Sequence, residues 1–150
     1  MRKLLLVLLI IFTFDRVGYS PEYRTLPIVR PNPIFHMTME DVDVWLKECS
    51  IKFPSIVKAQ IRLETGHFTS LICRENKNLF GMRYPSQRST TAIGELNGHA
   101  LYTSYKSSIE DYKIWQDIYY CKGENYYTFL LRIKYATDSS YINKLKYIKI

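Results

Sequence analysis

In "RLETGHF", residues 62–68, a carboxylate stands where a helix accommodates one least. The preceding stretch "FPSIVKAQIRLE" predicts a helix that Gly66 ends, so Glu64 falls in its last turn, among unsatisfied carbonyls. Val57, Ile61 and Glu64 follow one another at i, i+4, i+7, and Ile56, Gln60 and Leu63 form the adjoining row. Glu64 therefore projects from an otherwise apolar face, next to Gln60. The negative end of the dipole and partial burial both disfavour its charge and raise its pKa. A glutamate that keeps its proton near neutral pH is what general-acid cleavage of a glycosidic bond requires. The plainer alternative is a rim glutamate turned to water beside Arg62 or His67, and helix physics alone does not separate the two.

Other chemistries find less support. His36, His67 and His99 share no metal-ligand spacing with Cys49, Cys73 and Cys121, so neither metal nor cofactor is expected. Three cysteines allow one internal disulfide at most; Cys49 falls on an apolar helix stripe, which makes Cys73 and Cys121 the expected partners if a pair forms. No dense Lys/Arg cluster is interleaved with aromatics except "INKLKYIKI", whose cations suit the C-terminal end of a last helix, so nucleic acid is not expected as a partner. The 13 tyrosines suit sugar contacts and also fill cores, and their number alone does not choose.

The elements that must position Glu64 are legible as follows. Thr38 with Asp41 forms a capping-box variant opening a first helix, on which Val42, Trp45, Leu46 and Cys49 make one apolar stripe. Pro54 is the expected first residue of the helix that carries Glu64. "SLICRENKNLFGMRYPSQR" reads as a loop, after which "STTAIGEL" and "HALYTSY" flank Asn97-Gly98, a pair suited to a type I′ hairpin. Ser107 with Glu110 predicts the start of a helix bearing Ile109, Tyr112, Trp115 and Tyr119, and Asp111 reads as a dipole-matched carboxylate near that start. Two further helices are predicted over about 125–135 and from 139 to the end, with Thr137 or Asp138 as N-cap between them and Tyr141, Ile142, Leu145 and Ile148 inward. The fold class is α+β, mostly α, with a small β-hairpin lobe.

At 150 residues the chain supports one domain with a real core. Residues 1–20 are a separate object: Arg2 and Lys3 precede the apolar run 4–14, too short to span a bilayer comfortably, and the pattern is that of an export signal. Gly18 and Ser20 offer small residues for cleavage, but Pro21 would follow the cut, so the segment serves either as a removed signal or as a membrane tether through residues 4–14. Residues 21–37, with four prolines, read as an extended linker, and 38–150 as the domain. Losing residues 1–20 lowers the formal charge from +7 to +5, which suits anionic cell-wall polymers or a membrane surface.

"AQIRLETGHFTS", "NKNLFGMR", "ALYTSYKSSIEDYKIW" and "YATDSSYINKL" occur in that order. Together they resemble the glucosaminidase domain of glycoside hydrolase family 73 over about residues 38–150. The resemblance implies a lysozyme-like fold and peptidoglycan endo-β-N-acetylglucosaminidase activity; with the export signal, an exported protein, periplasmic, wall-associated or extracellular, is expected, acting as a monomer. It implies Glu64 as the catalytic acid, in "Q-x-x-x-E-[ST]-G". It also implies that Asn78, Phe80 and Gly81 line the sugar cleft and that Tyr135 is an active-site tyrosine. Gln60 and Tyr102 are candidate substrate contacts. Family members tend to carry a second carboxylate on the β lobe, where the hairpin offers only Glu95; strand alternation sets it opposite Ala92, Gly94 and Leu96, so a catalytic base and a solvated hairpin residue both remain open. A muramidase or lytic transglycosylase on the same scaffold, an inactive wall-binding module, and release of glycoprotein N-glycans are the alternative functions.

Overall fold

The computed structural model describes residues 37–150; the predicted export segment and nearly all of the linker lie outside the described residues. Among the described residues six helices and one two-stranded sheet follow in order: α1 (Met39–Glu48), α2 (Pro54–Thr65), α3 (Leu71–Asn76), β1 (Gly94–Leu96), β2 (His99–Leu101), α4 (Tyr105–Tyr119), α5 (Tyr126–Arg132) and α6 (Tyr141–Tyr147). The mostly helical α+β class with a small hairpin is therefore what the chain adopts. Among the described residues no helix is long and apolar enough to cross a membrane.

Local chemistry accounts for the boundaries. Thr38 caps α1 through a reciprocal capping box with Asp41. α2 opens on Pro54 and closes on Gly66 at φ +55°, the left-handed geometry that glycine adopts without a side-chain clash. Asn97 and Gly98 have φ of 53° and 73°, both positive as a type I′ turn demands, and Glu95 pairs with Ala100 in the antiparallel register.

Three predicted boundaries move. The loop after α2 contains a helix, α3, capped by Ser70, whose side chain accepts from the Cys73 amide. α4 starts at Tyr105 with Ser104 as cap, not Ser107; the Ser104 hydroxyl receives the Ser107 amide at 3.0 Å. Before α6 the cap position is Ser140, and Asp138, two residues upstream, instead accepts from its amide at 2.8 Å in a turn that leads into the cap. The three cysteines are free: Cys73 is buried and Cys121 exposed, so the conditional pair does not form.

One core unites the helices. Val42 and Leu46 from α1, Val57 and Ile61 from α2, Ile109 and Tyr112 from α4, Phe129 and Leu130 from α5 and Leu145 from α6 are all enclosed in it. The hairpin is fastened to the loop after α3 by polar bonds. Asn76 Nδ2 donates to the carbonyls of Leu96 (2.7 Å) and His99 (3.1 Å), and Asn78 Nδ2 to those of Met82 (2.8 Å) and Ala100 (3.0 Å). The Ala100 amide returns a bond to Met82 O at 2.9 Å. The segment between Asn78 and Met82 is thus held between helices and hairpin, next to the C-terminal end of α2.

Candidate active site

Glu64 is half-buried in the last turn of α2. Its Oε1 accepts a 2.8 Å hydrogen bond from the Tyr141 hydroxyl on α6. Its Oε2 lies against Gly81: a Cβ built there would stand 3.5 Å from it. Burial raises the Glu64 pKa, and the Tyr141 bond, which favours the charged form, opposes that rise. The net direction is upward, with burial as its leading cause.

Gly81 reaches this position because Asn78 shapes the loop. Asn78 Oδ1 accepts from the amides of Phe80 (3.2 Å) and Met82 (3.1 Å), while Gly81 between them adopts φ +62°. Phe80 stacks on Tyr112 with ring centroids 3.9 Å apart, and its carbonyl accepts from the Tyr135 hydroxyl at 3.1 Å. Tyr135 in turn packs edge-on against Trp115 at 5.5 Å and beside Tyr141 at 5.7 Å. A cleft of about 640 Å³ opens over these groups, with Glu64, Phe80, Gly81, Trp115 and Tyr135 in its lining. Arg83, Arg88 and Lys134 also line it, with Asp138 as the other acid. That volume suits a small-molecule or sugar-sized ligand.

Four of the expected residues, Glu64, Phe80, Gly81 and Tyr135, are thus brought to one cleft. Gln60, Asn78 and Tyr102 sit behind its wall, at 0%, 2% and 2% exposure, where burial leaves them no surface for a ligand. Gln60 bonds Tyr112 and Tyr141, Asn78 holds the loop, and the Tyr102 hydroxyl donates to Asp111 at 2.8 Å. Glu95 is exposed on β1 and is not among the residues that line the Glu64 cleft.

Asp111 is not held as a dipole-matched carboxylate at the start of the helix. It lies in the second turn of α4, fully buried, and takes both guanidinium nitrogens of Arg88 at 2.7 and 2.8 Å. Burial pushes its pKa up, but the bonds from Arg88, Thr90 and Tyr102 outweigh it and the net shift is down. The pair anchors the segment before the hairpin to α4 and so builds one wall of the cleft. Tyr141, Trp115 and this ion pair were not foreseen as parts of the site.

Comparison with known proteins bears on the chain as a whole. The glucosaminidase family, described as mannosyl-glycoprotein endo-beta-N-acetylglucosaminidase, matches residues 46–149, more than two thirds of the chain. The chain belongs to this family of glycoside hydrolases. It is also similar to Protein bax of Escherichia coli (strain K12), with 38% identity over 58 residues, 39% of this chain and 21% of that protein. The matched stretch therefore spans about a fifth of that relative's length. Among solved structures, the catalytic domain of the autolysin Auto from Listeria monocytogenes superposes with a TM-score of 0.49 at 23% identity, covering 79% of this chain and 85% of that one. The family match spans every residue placed at the cleft.

Proposed function

We propose that this glucosaminidase-family domain hydrolyses the β-1,4 bond after N-acetylglucosamine in peptidoglycan glycan strands, with Glu64 as proton donor. The observation that carries the reading is the half-buried Glu64 carboxyl, held by Tyr141 on one oxygen and facing the open cleft beside Gly81 with the other. In the reaction the Oε2 proton passes to the glycosidic oxygen as the bond to the anomeric carbon breaks.

Two routes complete the displacement. Glu95 could act as base on a water, or the substrate's own 2-acetamido oxygen could attack the anomeric carbon, with Tyr135 beside it. Glu95 lies outside the cleft lining while Tyr135 lies in it, and this favours the second route. The anomer released first distinguishes them: a β product retains configuration, an α product inverts it.

The cleft's charge favours peptidoglycan over a neutral mannose-rich glycan. Arg83 and Lys134 line it and form no ion pair among the described residues, and peptide stems on the glycan supply carboxylates for them. Export of the chain, with residues 1–20 as signal or tether and a monomeric domain at the wall, completes the proposal.

The test is turbidity loss of purified sacculi and mass spectrometry of the released fragments. Reducing N-acetylglucosamine ends are expected, with their release falling by roughly 10²–10⁴-fold in Glu64→Gln. Reducing muramic ends would indicate a muramidase and anhydromuramic ends a transglycosylase. No release, with binding unchanged in Glu64→Gln, would leave a wall-binding module.

A further inference from the structure

Glu64 is the end of a buried hydrogen-bond chain that crosses the helical body. Gln116 Nε2 donates to the Tyr126 hydroxyl at 2.9 Å, and the Tyr126 and Tyr112 hydroxyls are 2.6 Å apart. Tyr112 donates to Gln60 Oε1 at 2.8 Å, Gln60 Nε2 donates to the Tyr141 hydroxyl at 3.4 Å, and Tyr141 donates to Glu64 Oε1 at 2.8 Å. Gln60, Tyr112, Gln116 and Tyr126 are at most 1% exposed, so water does not compete for these groups.

The far end of the chain dictates its direction. At the far end Gln116 Oε1 accepts from the Lys52 backbone amide at 2.8 Å, which can only donate, so its Nε2 faces Tyr126 as donor. Gln116 Nε2 offers no lone pair, so the Tyr126 proton goes to Tyr112, the Tyr112 proton to Gln60 Oε1, and Gln60 Nε2 turns to Tyr141, whose own proton is left with Glu64 Oε1 as acceptor whether or not Glu64 carries a proton. Every hydroxyl proton points towards Glu64. Bonds aligned in one sense polarise one another, more so where the surroundings are dry.

We propose that this one-way chain is a positioning device for Glu64: it reserves Oε1 as an acceptor, places the transferable proton on Oε2, and steadies the carboxylate left after transfer. A proton on Oε1 would meet the Tyr141 O–H head-on. On Oε2 it faces the cleft at the one position where the loop carries no side chain, Gly81. Tyr141, Gln60, Tyr112, Tyr126 and Gln116 are positioning residues, since they act through Glu64 and touch no substrate. The inference deepens the proton-donor reading of Glu64 and rests on it for its catalytic meaning.

Its test needs no substrate. The carboxyl carbon of Glu64 is followed by ¹³C NMR through a pH titration of the whole chain. Burial raises the Glu64 pKa and the Tyr141 bond opposes it. Tyr141→Phe, which removes the last donor, is expected to move the midpoint up by roughly one pH unit. Tyr126→Phe interrupts the chain at a distance and is expected to move it in the same direction by a few tenths of a unit, on the order of one step's polarisation. The other groups facing Glu64 are unchanged in both variants: Tyr135 before α6, and Arg83, Arg88, Lys134 and Asp138 in the cleft walls. Ile142→Val loosens α6 beside Tyr141 without touching the chain, and its midpoint is expected to stay at the parent value. A midpoint unmoved in either tyrosine variant, or moved as far by Ile142→Val, overturns the proposal; if Tyr141→Phe does not fold, Tyr126→Phe decides. Retained hydrolysis by Glu64→Gln would remove the proton-donor reading and leave this titration as it stands.

Discussion

At Glu64 the folded chain holds a proton more tightly than the unfolded chain, because burial penalises the carboxylate and the Tyr141 bond only partly offsets it. Between the ordinary glutamate pKa and the raised one, the native state binds more protons than the unfolded state, so stability falls as pH rises through that window. The penalty is absent below the unfolded pKa, about 4.3, and complete above the folded one. Glu64→Gln keeps an acceptor for Tyr141 and carries no charge. Its melting temperature is expected to match the parent's near pH 4 and to exceed it increasingly towards neutrality, while hydrolysis falls by roughly 10²–10⁴-fold. Calorimetry across pH with a turbidity assay checks both; a parent that gains on the variant as pH rises would contradict the burial of this group. Gly81→Ala places a methyl 3.5 Å from Oε2 at φ +62°, so it is expected to cost about 1 kcal/mol in stability and to reduce kcat by more than that strain explains. Glu64, Phe80, Gly81 and Tyr135 were legible because short blocks of sequence carry them. Tyr141 was legible only as an inward-facing helix residue, since its bond to Glu64 joins positions 77 apart and nothing local marks it.

Caps and turns are written in a few adjacent residues, and three of them were read as they stand, Thr38 with Asp41, Pro54 with Gly66 and Asn97 with Gly98, while the Ser70 and Ser104 caps were missed. Elements decided by distant partners were harder to see. α3 is only six residues long and shows too few turns for a periodic stripe. The run "STTAIGEL" yields just three strand residues because Thr91 is spent on α4, donating its hydroxyl to Ser107 O at 2.6 Å and its amide to Asp111 at 3.3 Å. Asp111 and Arg88 are 0% and 7% exposed as side chains, so the pair cannot lose one member without stranding the other in a dry place. Asp111→Ala is therefore expected to destabilise the domain by about 3–5 kcal/mol, against ~1 kcal/mol for Thr38→Ala at the solvent-facing cap of α1. Denaturant melts of the two variants check the ranking. Near-equal losses would show that the guanidinium finds water once its partner is gone.

Across the whole molecule, charge and shape act at different ranges. The core and the ion pair hold a cleft of about 640 Å³ in place, while the formal charge of +7 acts over the distance that salt permits, roughly 8 Å at physiological ionic strength. Of the three cations that line the cleft, Arg88 is held by Asp111, which leaves Arg83 and Lys134 to meet an anionic group on a bound ligand, while the remainder of the surface charge governs encounter. Those two contributions separate experimentally. For glycan strands that carry peptide carboxylates, KM is expected to rise about three- to tenfold between roughly 0.05 and 0.5 M salt, with kcat little changed. For a neutral N-acetylglucosamine oligomer of the same length, KM is expected to stay level. Replacing Arg83 and Lys134 together by serine should flatten most of the salt dependence on the charged strand without altering turnover of the neutral one. A parent enzyme equally indifferent to salt on both substrates would mean that these side chains meet no anion, and the proposed preference for peptide-bearing glycan would lose its electrostatic basis.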